Sequence, residues 1–143
     1  KIKLQFTRRK AWRRKDPMAA KIILVVDDEK EVLDWLEKRL SSETYVVLVA
    51  LTAKEALEKA RRHKPDLILM DIVLPDMEGS EVVRILANDS LTAHIPVIFM
   101  SGIVSREDEH AQIELNVGGR LYRAVSKPFD FEELLKEIQE TML

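Results

Sequence analysis

The chain has 143 residues, of which 46% are hydrophobic and 34% charged, and this composition is typical of one globular domain. It contains no cysteine, which excludes disulfides, thiolate metal sites and cysteine catalysis. No apolar run approaches the roughly 20 residues of a membrane helix and no secretory signal is present, so we expect a cytoplasmic protein without a membrane partner.

The charge of the chain is unevenly distributed. Residues 1–17 carry a net charge of +7, and subtracting this from the overall −2 leaves −9 for the remainder. Since Met18 is a natural starting residue, we interpret residues 1–17 as an expression-derived basic leader; the alternative is a basic arm for nucleic acid or anionic lipid. Ile2, Leu4 and Phe6 alternate with polar residues, a pattern that would suit pairing with a sheet edge or a neighbouring molecule.

After the leader, short apolar runs alternate with helical patterns. Continuous apolar runs predict strands that are buried on both faces. The predicted strands are 22–26, 45–50, 67–70, 95–100 and 121–125. A helix is expected after each strand, so the order is strand–helix repeated five times. Such alternation predicts a parallel sheet with helices on both faces, in the doubly wound, flavodoxin-like order 2-1-3-4-5.

The predicted helices differ in the strength of their signals. Thr52 is expected to cap the second helix, with Glu55 completing a capping box, and Ser80 is expected to cap the third. The fourth, at about 106–115, is only weakly amphipathic, and Gly118–Gly119 is expected to end it. The last helix is predicted at about 130–142.

Polar residues stand at the carboxyl ends of four of the predicted strands. They are Asp27 and Asp28, Asp71, Ser101, and Lys127. The carboxyl ends of parallel strands form the ligand site of this fold, so the three carboxylates should converge and repel one another unless a cation lies among them. Oxygen ligands favour Mg²⁺ or Mn²⁺. Asp71 could then act as a nucleophile toward phosphorus, with Lys127 supplying positive charge and Ser101 a hydroxyl donor.

This arrangement resembles the receiver domain of two-component response regulators. The resemblance covers about residues 21–142 and also includes Pro75 and Gly79 after Asp71 and the sequence Lys127-Pro128-Phe129. It implies a receiver domain at 18–143, in which Asp71 is phosphorylated by a histidine kinase or a phosphotransfer protein.

The resemblance also implies a role for each site residue. Asp28 and Asp71 would bind Mg²⁺ directly together with the backbone carbonyl of Val73, and Asp27 would act mainly through water. Lys127 would pair with the phosphoryl group, Ser101 would hydrogen-bond to it, and the peptide bond before Pro128 would be cis. Phosphorylation would switch partner binding at the face of the fourth helix, fifth strand and last helix. The domain would be a self-phosphorylating switch rather than an enzyme, and would not itself bind nucleic acid.

Two positions bear on how such a switch would work. The family commonly has an aromatic residue three positions before the lysine, where this chain has Ala124, while Tyr122 lies on the same strand face. Either Tyr122 substitutes, or the protein signals without an aromatic switch, and we favour the second. Val73 and Ile103 are apolar where side chains flank the hydrolytic water, so we predict slow loss of the phosphoryl group.

Three other functions fit the sequence less well. A Mg²⁺-dependent phosphohydrolase with an aspartyl-phosphate intermediate would carry a second acid two residues after the nucleophile, where Val73 stands. An FMN-binding flavodoxin would need a neutral phosphate loop after the first strand, where Asp27 and Asp28 would repel phosphate. A degenerate docking receiver would not need the complete set of site residues. Whether the domain acts alone or within a longer regulator or hybrid kinase is open at this point.

Overall fold

A computed structural model of the chain describes residues 19–102 and 113–143. These residues form one sheet and four helices. The strands are β1 Ile22–Val26, β2 Val46–Ala50, β3 Leu67–Asp71, β4 Val97–Ser101, β5 Ile113–Val117 and β6 Arg120–Ser126. The helices are α1 Lys30–Ser42, α2 Ala53–His63, α3 Gly79–Ala87 and α4 Phe131–Thr141. None of the helices in these two segments has the length and apolar character needed to span a membrane.

The sheet has the order β2-β1-β3-β4-β6-β5. Its first five strands in this order run parallel, and β5 pairs antiparallel with β6 at the end of the sheet. The doubly wound order 2-1-3-4-5 predicted from the alternation of strands and helices is therefore confirmed, with β6 as its fifth strand and β5 as an addition.

Helices cover both faces of the sheet, as predicted. One core contains the inner faces of α2 and α3 with alternate sheet residues such as Met70 and Phe99. The other contains α1 and α4 with the intervening residues such as Leu69 and Met100. Strands β3 and β4 are buried along their whole length, which is why they are apolar up to their last residues, Asp71 and Ser101, rather than alternating.

The predicted fourth helix is wrong where the structure describes it. Residues 113–115 of the predicted 106–115 helix belong to strand β5, while residues 106–112 lie outside the described part of the chain. Apolar and polar residues alternate from Ile113 to Val117, a period-two pattern that suits a strand better than a helix. Gly118 and Gly119 have φ values of 60° and 86°, the two left-handed conformations of a tight hairpin turn, so they join two strands rather than end a helix.

One of the two N-caps predicted from the sequence is confirmed. The Thr52 hydroxyl accepts a hydrogen bond from the Glu55 amide at 3.1 Å and caps α2. Asp130, at the start of the predicted last helix, caps α4 through the amides of its first turn. The cap predicted at Ser80 is wrong: Ser80 lies inside α3, whose N-cap is Glu78. Gly79 is thereby the first residue of the helix, which begins two residues earlier than a cap at Ser80 would place it.

Candidate functional site

The register of the parallel strands brings the predicted site residues to one edge of the sheet. Val26 pairs with Met70 across β1 and β3, so the residues that follow them, Asp27 and Asp71, lie side by side at the carboxyl ends of these strands. On the other side of β3, Asp71 pairs with Met100. Ser101 then pairs with Ser126, which immediately precedes Lys127.

Asp27 is fully buried and engaged on both carboxylate oxygens. Its Oδ1 accepts a hydrogen bond from the Glu29 amide at 2.9 Å, and its Oδ2 accepts one from the Lys127 ammonium. A buried carboxylate is tolerated only when it is paired and hydrogen-bonded in this way. Lys127 therefore gives Asp27 the counter-charge that its burial requires.

Asp71 lies at the end of β3 and is only 9% exposed. Its Oδ1 accepts a hydrogen bond from the Ile72 amide at 2.9 Å, and its Oδ2 lies 3.5 Å from the Lys127 ammonium nitrogen. Burial and the charge of Asp27 raise the pKa of Asp71, and Lys127 and the Ile72 amide only partly offset this. More positive charge than Lys127 alone supplies would stabilise the ionised form of Asp71.

Lys127 links the acidic groups of the site. Besides Asp27 and Asp71, it approaches Glu29 Oε1 at 3.8 Å. Burial alone would lower the pKa of Lys127, but its hydrogen bond to Asp27 and the three surrounding carboxylates outweigh this and raise it. The side chain thus carries a permanent positive charge at neutral pH, which suits it to attract an incoming anionic group.

The three aspartates meet the requirements of a divalent cation site. Asp27, Asp28 and Asp71 each offer a carboxylate oxygen, and these oxygens lie within 4.8 Å of one another. Asp28 is exposed whereas the other two are buried, so the cluster opens to solvent on one side. An all-oxygen set with unbalanced negative charge fits Mg²⁺ or Mn²⁺, because the cation would relieve the repulsion that raises the pKa of Asp71.

Ser101 and the segment around Pro128 complete this edge of the sheet. Ser101 is 2% exposed, and its carbonyl accepts a hydrogen bond from the Lys127 amide at 2.8 Å. This bond fixes the backbone of β4 to the residue that carries the ammonium. The Lys127–Pro128 peptide bond is cis, as the family resemblance implies.

Gly79 lies so close to the backbone of Asp71 that a residue with a side chain would not fit at this position. A Cβ atom at Gly79 would lie 2.1 Å from the Asp71 carbonyl oxygen, and the Gly79 amide donates to the Ile72 carbonyl at 2.7 Å. The loop after β3 is therefore folded tightly back on its strand, and only glycine fits at its end. Within this loop, Val73 forms an isolated bridge with Glu78, and the Val73 side chain is 60% exposed.

Tyr122 and Ala124 both lie on the core side of β6. Ala124 is buried and pairs with Phe99 across β4 and β6. The Tyr122 ring contacts the Phe99 ring edge to face, with the ring centroids 5.7 Å apart. In the sheet, Tyr122 pairs with Leu115 of β5. Tyr122 thus lies beside strand β5 in the sheet and against Phe99, and signalling without an aromatic switch stays a prediction.

Two features near the site are not predicted from the sequence. Asp76, in the loop after β3, accepts hydrogen bonds from the amides of Ala53 at 2.9 Å and Lys54 at 3.1 Å. It thereby ties this loop to the start of α2, and these bonds lower the pKa of Asp76. Its neighbour Pro75 marks a loop, but the sequence offers no signal for a partner more than twenty residues away.

The second feature is a pocket of about 510 Å³ directly beside Lys127. Its apolar wall is formed by Trp35 of α1, whose ring stacks parallel to Phe129 with centroids 6.2 Å apart, together with Pro128 and Val32. Glu29 and Glu31 add carboxylates to the lining. The helical spacing of Trp35 places it beside the core residues of α1, but only the fold brings it against the segment after Lys127.

Comparison with known proteins agrees with this geometry. The family model described as "Response regulator receiver domain" matches residues 23–139. The chain is 32% identical over 119 residues to the polar-differentiation response regulator DivK of Brucella anthropi, covering 83% of this chain and 94% of DivK. It is 37% identical over 106 residues to a probable cyclic di-GMP phosphodiesterase of Vibrio cholerae, covering 74% of this chain but only 24% of that protein. The chain therefore spans about a quarter of the length of the first curated relatives that it matches.

Solved structures show the same fold. The receiver domain of the sensor histidine kinase PA1611 from Pseudomonas aeruginosa superposes with a TM-score of 0.74 at 25% identity, covering 87% of this chain and 98% of that domain. That structure holds a magnesium ion coordinated in its active site cleft, and receiver domains bind Mg²⁺ at such an acidic site. Since the family model extends from β1 into α4 and so includes every residue of the acidic cluster, this chain belongs to the response regulator receiver domains of two-component signalling.

Proposed function

We propose that this domain is a phosphoacceptor switch in which Asp71 receives a phosphoryl group from a histidine kinase or a histidine phosphotransfer protein. The observation that carries the proposal is the position of Lys127. Its ammonium bonds to Asp27 and lies 3.5 Å from Asp71 Oδ2, so a cation is already placed where a phosphoryl group on Asp71 would develop charge.

The transfer needs little covalent chemistry from the protein. An Asp71 carboxylate oxygen attacks phosphorus, the bond from phosphorus to the donor histidine nitrogen breaks, and its electrons stay on that nitrogen. Lys127 stabilises the transferred group, and Ser101 donates a hydrogen bond to it. These roles give the protein one phosphoryl group per cycle, which is the behaviour of a switch rather than of an enzyme.

A divalent cation has a specific place in this proposal. Asp28 and Asp71 would hold Mg²⁺ directly, with the backbone carbonyl of Val73, because both oxygens of Asp27 are engaged by Glu29 and Lys127. Asp27 would then contact the ion mainly through water. When bound, the ion supplies positive charge to the phosphoryl oxygens.

The pocket beside Lys127 is the surface on which we place the phosphoryl donor. It lies next to the ammonium, and its Trp35–Phe129 wall is partly open, with Trp35 38% exposed. Histidine kinases and output domains are partners of the receiver family as a whole. A donor protein that packs apolar side chains here would hold its phosphohistidine close to Asp71, whereas a small phosphodonor would not need this contact.

The proposal includes a long lifetime for the phosphorylated state. The Val73 side chain is largely exposed beside the site and carries no group that could orient a hydrolytic water. Ile103, the other position in this prediction, lies outside the described residues. An acyl-phosphate half-life of only seconds would contradict the prediction.

Two alternatives are less well supported by the same residues. A docking receiver without phosphotransfer would have no need for Lys127 to approach both Asp27 and Asp71. A phosphohydrolase would need an acid at the exposed position of Val73 to protonate a leaving group. The complete cluster and the apolar Val73 both favour the phosphoacceptor.

The test is phosphorylation by acetyl phosphate with MgCl₂, followed by intact mass. We expect one added phosphoryl group on the wild type and none on Asp71→Asn. The matched control is Asp34→Asn, which removes the same charge at an exposed position of α1 and should accept the group normally. Equal labelling of Asp71→Asn and wild type would overturn the assignment.

A further inference from the structure

Strand β5 is a terminal strand of the sheet. It is the last strand in the sheet order, and no strand lies beyond it in residues 19–102 or 113–143. Natural edge strands are commonly protected by lysine, proline or a bulge. The sequence Ile-Glu-Leu-Asn-Val has no lysine or proline and only one charged residue, so this edge is suited to pair with another strand.

The opposite edge of the sheet is protected by contrast. There β2 is the terminal strand, and the Lys59 ammonium of α2 donates a hydrogen bond to the Val49 carbonyl. A side chain that occupies an edge carbonyl with a charged group blocks strand addition at that point. The two edges therefore differ, and β5 is the one that can accept a partner.

The hairpin determines which backbone groups of β5 face outward. Val117 and Arg120 flank the two-residue turn and form a hydrogen-bonded pair, after which bonded and non-bonded pairs alternate. Leu115 therefore bonds to Tyr122 of β6. The amide and carbonyl groups of Glu114 and Asn116 point away from β6, toward the outer side of β5.

We propose that β5 pairs antiparallel with β5 of a second copy of this chain, about a two-fold axis at Leu115. In this register each Glu114 lies opposite Asn116 of the other copy, and their outward groups form four backbone hydrogen bonds. An isologous contact of this kind closes on itself and gives a dimer. The two sheets join into one continuous sheet.

Side chains favour this register over its neighbours. An axis at Glu114 would place two like charges directly opposite each other, which destabilises a sheet, and an axis at Asn116 would run the ladder into the Gly118 turn. With the axis at Leu115, the two leucines form a close cross-strand pair. Leu115 already packs against the core on the α2–α3 face together with Val117, so the apolar layer of each copy continues into the other.

The first test is the mass of the full chain in solution, measured by sedimentation over a concentration series that extends to millimolar. We expect the wild type to pass from 16.5 kDa toward twice that mass. Glu114→Pro removes one outward amide of β5 without touching the bonds to β6, and proline is tolerated at such edge positions, so this variant should stay monomeric. Glu114→Gln keeps the amide and should dimerise.

A second test reads the register. The chain has no cysteine, so a single introduced cysteine can form a disulfide only between two copies. Leu115→Cys should cross-link under mild oxidation, because facing residues at the axis have Cβ atoms about 5 Å apart. Leu121→Cys, at a more exposed position of β6, should not cross-link to a comparable extent.

Three outcomes would overturn the proposed dimer. A monomeric wild type at every concentration would overturn the proposal, as would equal cross-linking of the two cysteine variants. Loss of the dimer on removal of residues 1–17 would assign the contact to that segment and would also overturn it. Asp71→Asn should dimerise like the wild type, so the proposal stands or fails independently of phosphorylation.

Discussion

The ammonium of Lys127 lies 3.5 Å from Oδ2 of Asp71 while it bonds to Asp27 on the neighbouring strand. One side chain thus balances two carboxylates that the parallel register forces together. The stability of the site and its chemistry therefore depend on the charges of Lys127, Asp27 and Asp71. Substitutions of these residues should change both the unfolding free energy and phosphorylation.

Removal of the Lys127 charge should destabilise the protein. Lys127→Met leaves the fully buried Asp27 without its counter-charge, and breaking such a pair costs about 3 kcal/mol of unfolding free energy. We expect this loss in chemical denaturation without divalent ions, and a partial recovery on addition of MgCl₂. Lys136→Met, at an exposed position of α4, is the control and should change stability by less than about 0.5 kcal/mol.

The raised pKa of Asp71 predicts a pH dependence of stability. Burial and the charge of Asp27 favour the protonated form in the folded state. The stability that Asp71 contributes in its protonated form is fully present below the unfolded pKa of about 3.8. It is lost as pH rises through the higher pKa of the folded state. In EDTA, the unfolding free energy of Asp71→Asn should therefore increase relative to that of the wild type as pH rises toward neutrality. Parallel pH profiles for the two proteins would contradict the prediction.

Magnesium should stabilise the wild type through the acidic cluster. A ligand that binds only the folded state adds about 2.7 kcal/mol at a concentration of one hundred times its Kd. We expect MgCl₂ to raise the thermal midpoint of the wild type and of Asp34→Asn, and to have little effect on Asp28→Asn. A full shift in Asp28→Asn would exclude Asp28 as a ligand.

Gly79 should tolerate no side chain. Its Cβ would meet the Asp71 carbonyl oxygen at 2.1 Å, so in Gly79→Ala the loop must move at the nucleophile itself. We expect the unfolding free energy to fall by about 1–3 kcal/mol and labelling by acetyl phosphate to weaken. Gly102→Ala is the control, because an added Cβ there would meet no atom within 4 Å; a loss of the same size would refute the steric explanation.

Trp35 should affect transfer from a protein donor only. Trp35→Ala removes part of the wall of the pocket beside Lys127, so we expect transfer from a phosphohistidine protein that labels the wild type to slow about tenfold or more, equivalent to ~1.4 kcal/mol. Labelling by acetyl phosphate should be unchanged. Val46→Ala truncates an exposed apolar residue of β2 and should leave both rates unchanged; slowing of both reactions in Trp35→Ala would indicate damage to the site itself.

The amino-acid sequence was least informative between β4 and β6. Ile113, Leu115 and Val117 fit a weak helix or a strand, and short apolar patterns do not separate the two. The choice is made by Gly118 and Gly119, whose left-handed φ values close a hairpin on Arg120. The strand is then held by pairing with β6, a contact that local propensity does not reveal.

The sequence by itself determined the parallel sheet, its strand order and the family, because continuous apolar runs that end in Asp27, Asp71, Ser101 and Lys127 leave few other arrangements. Only the tertiary structure decided how these residues share charge. Three features depend on distances between segments far apart in the chain: Lys127 bonds to Asp27 while it approaches Asp71, Gly79 lies against the Asp71 carbonyl, and β5 is the terminal strand of the described sheet. Local sequence patterns record the burial and direction of each element, whereas these distances follow from how the elements pack together.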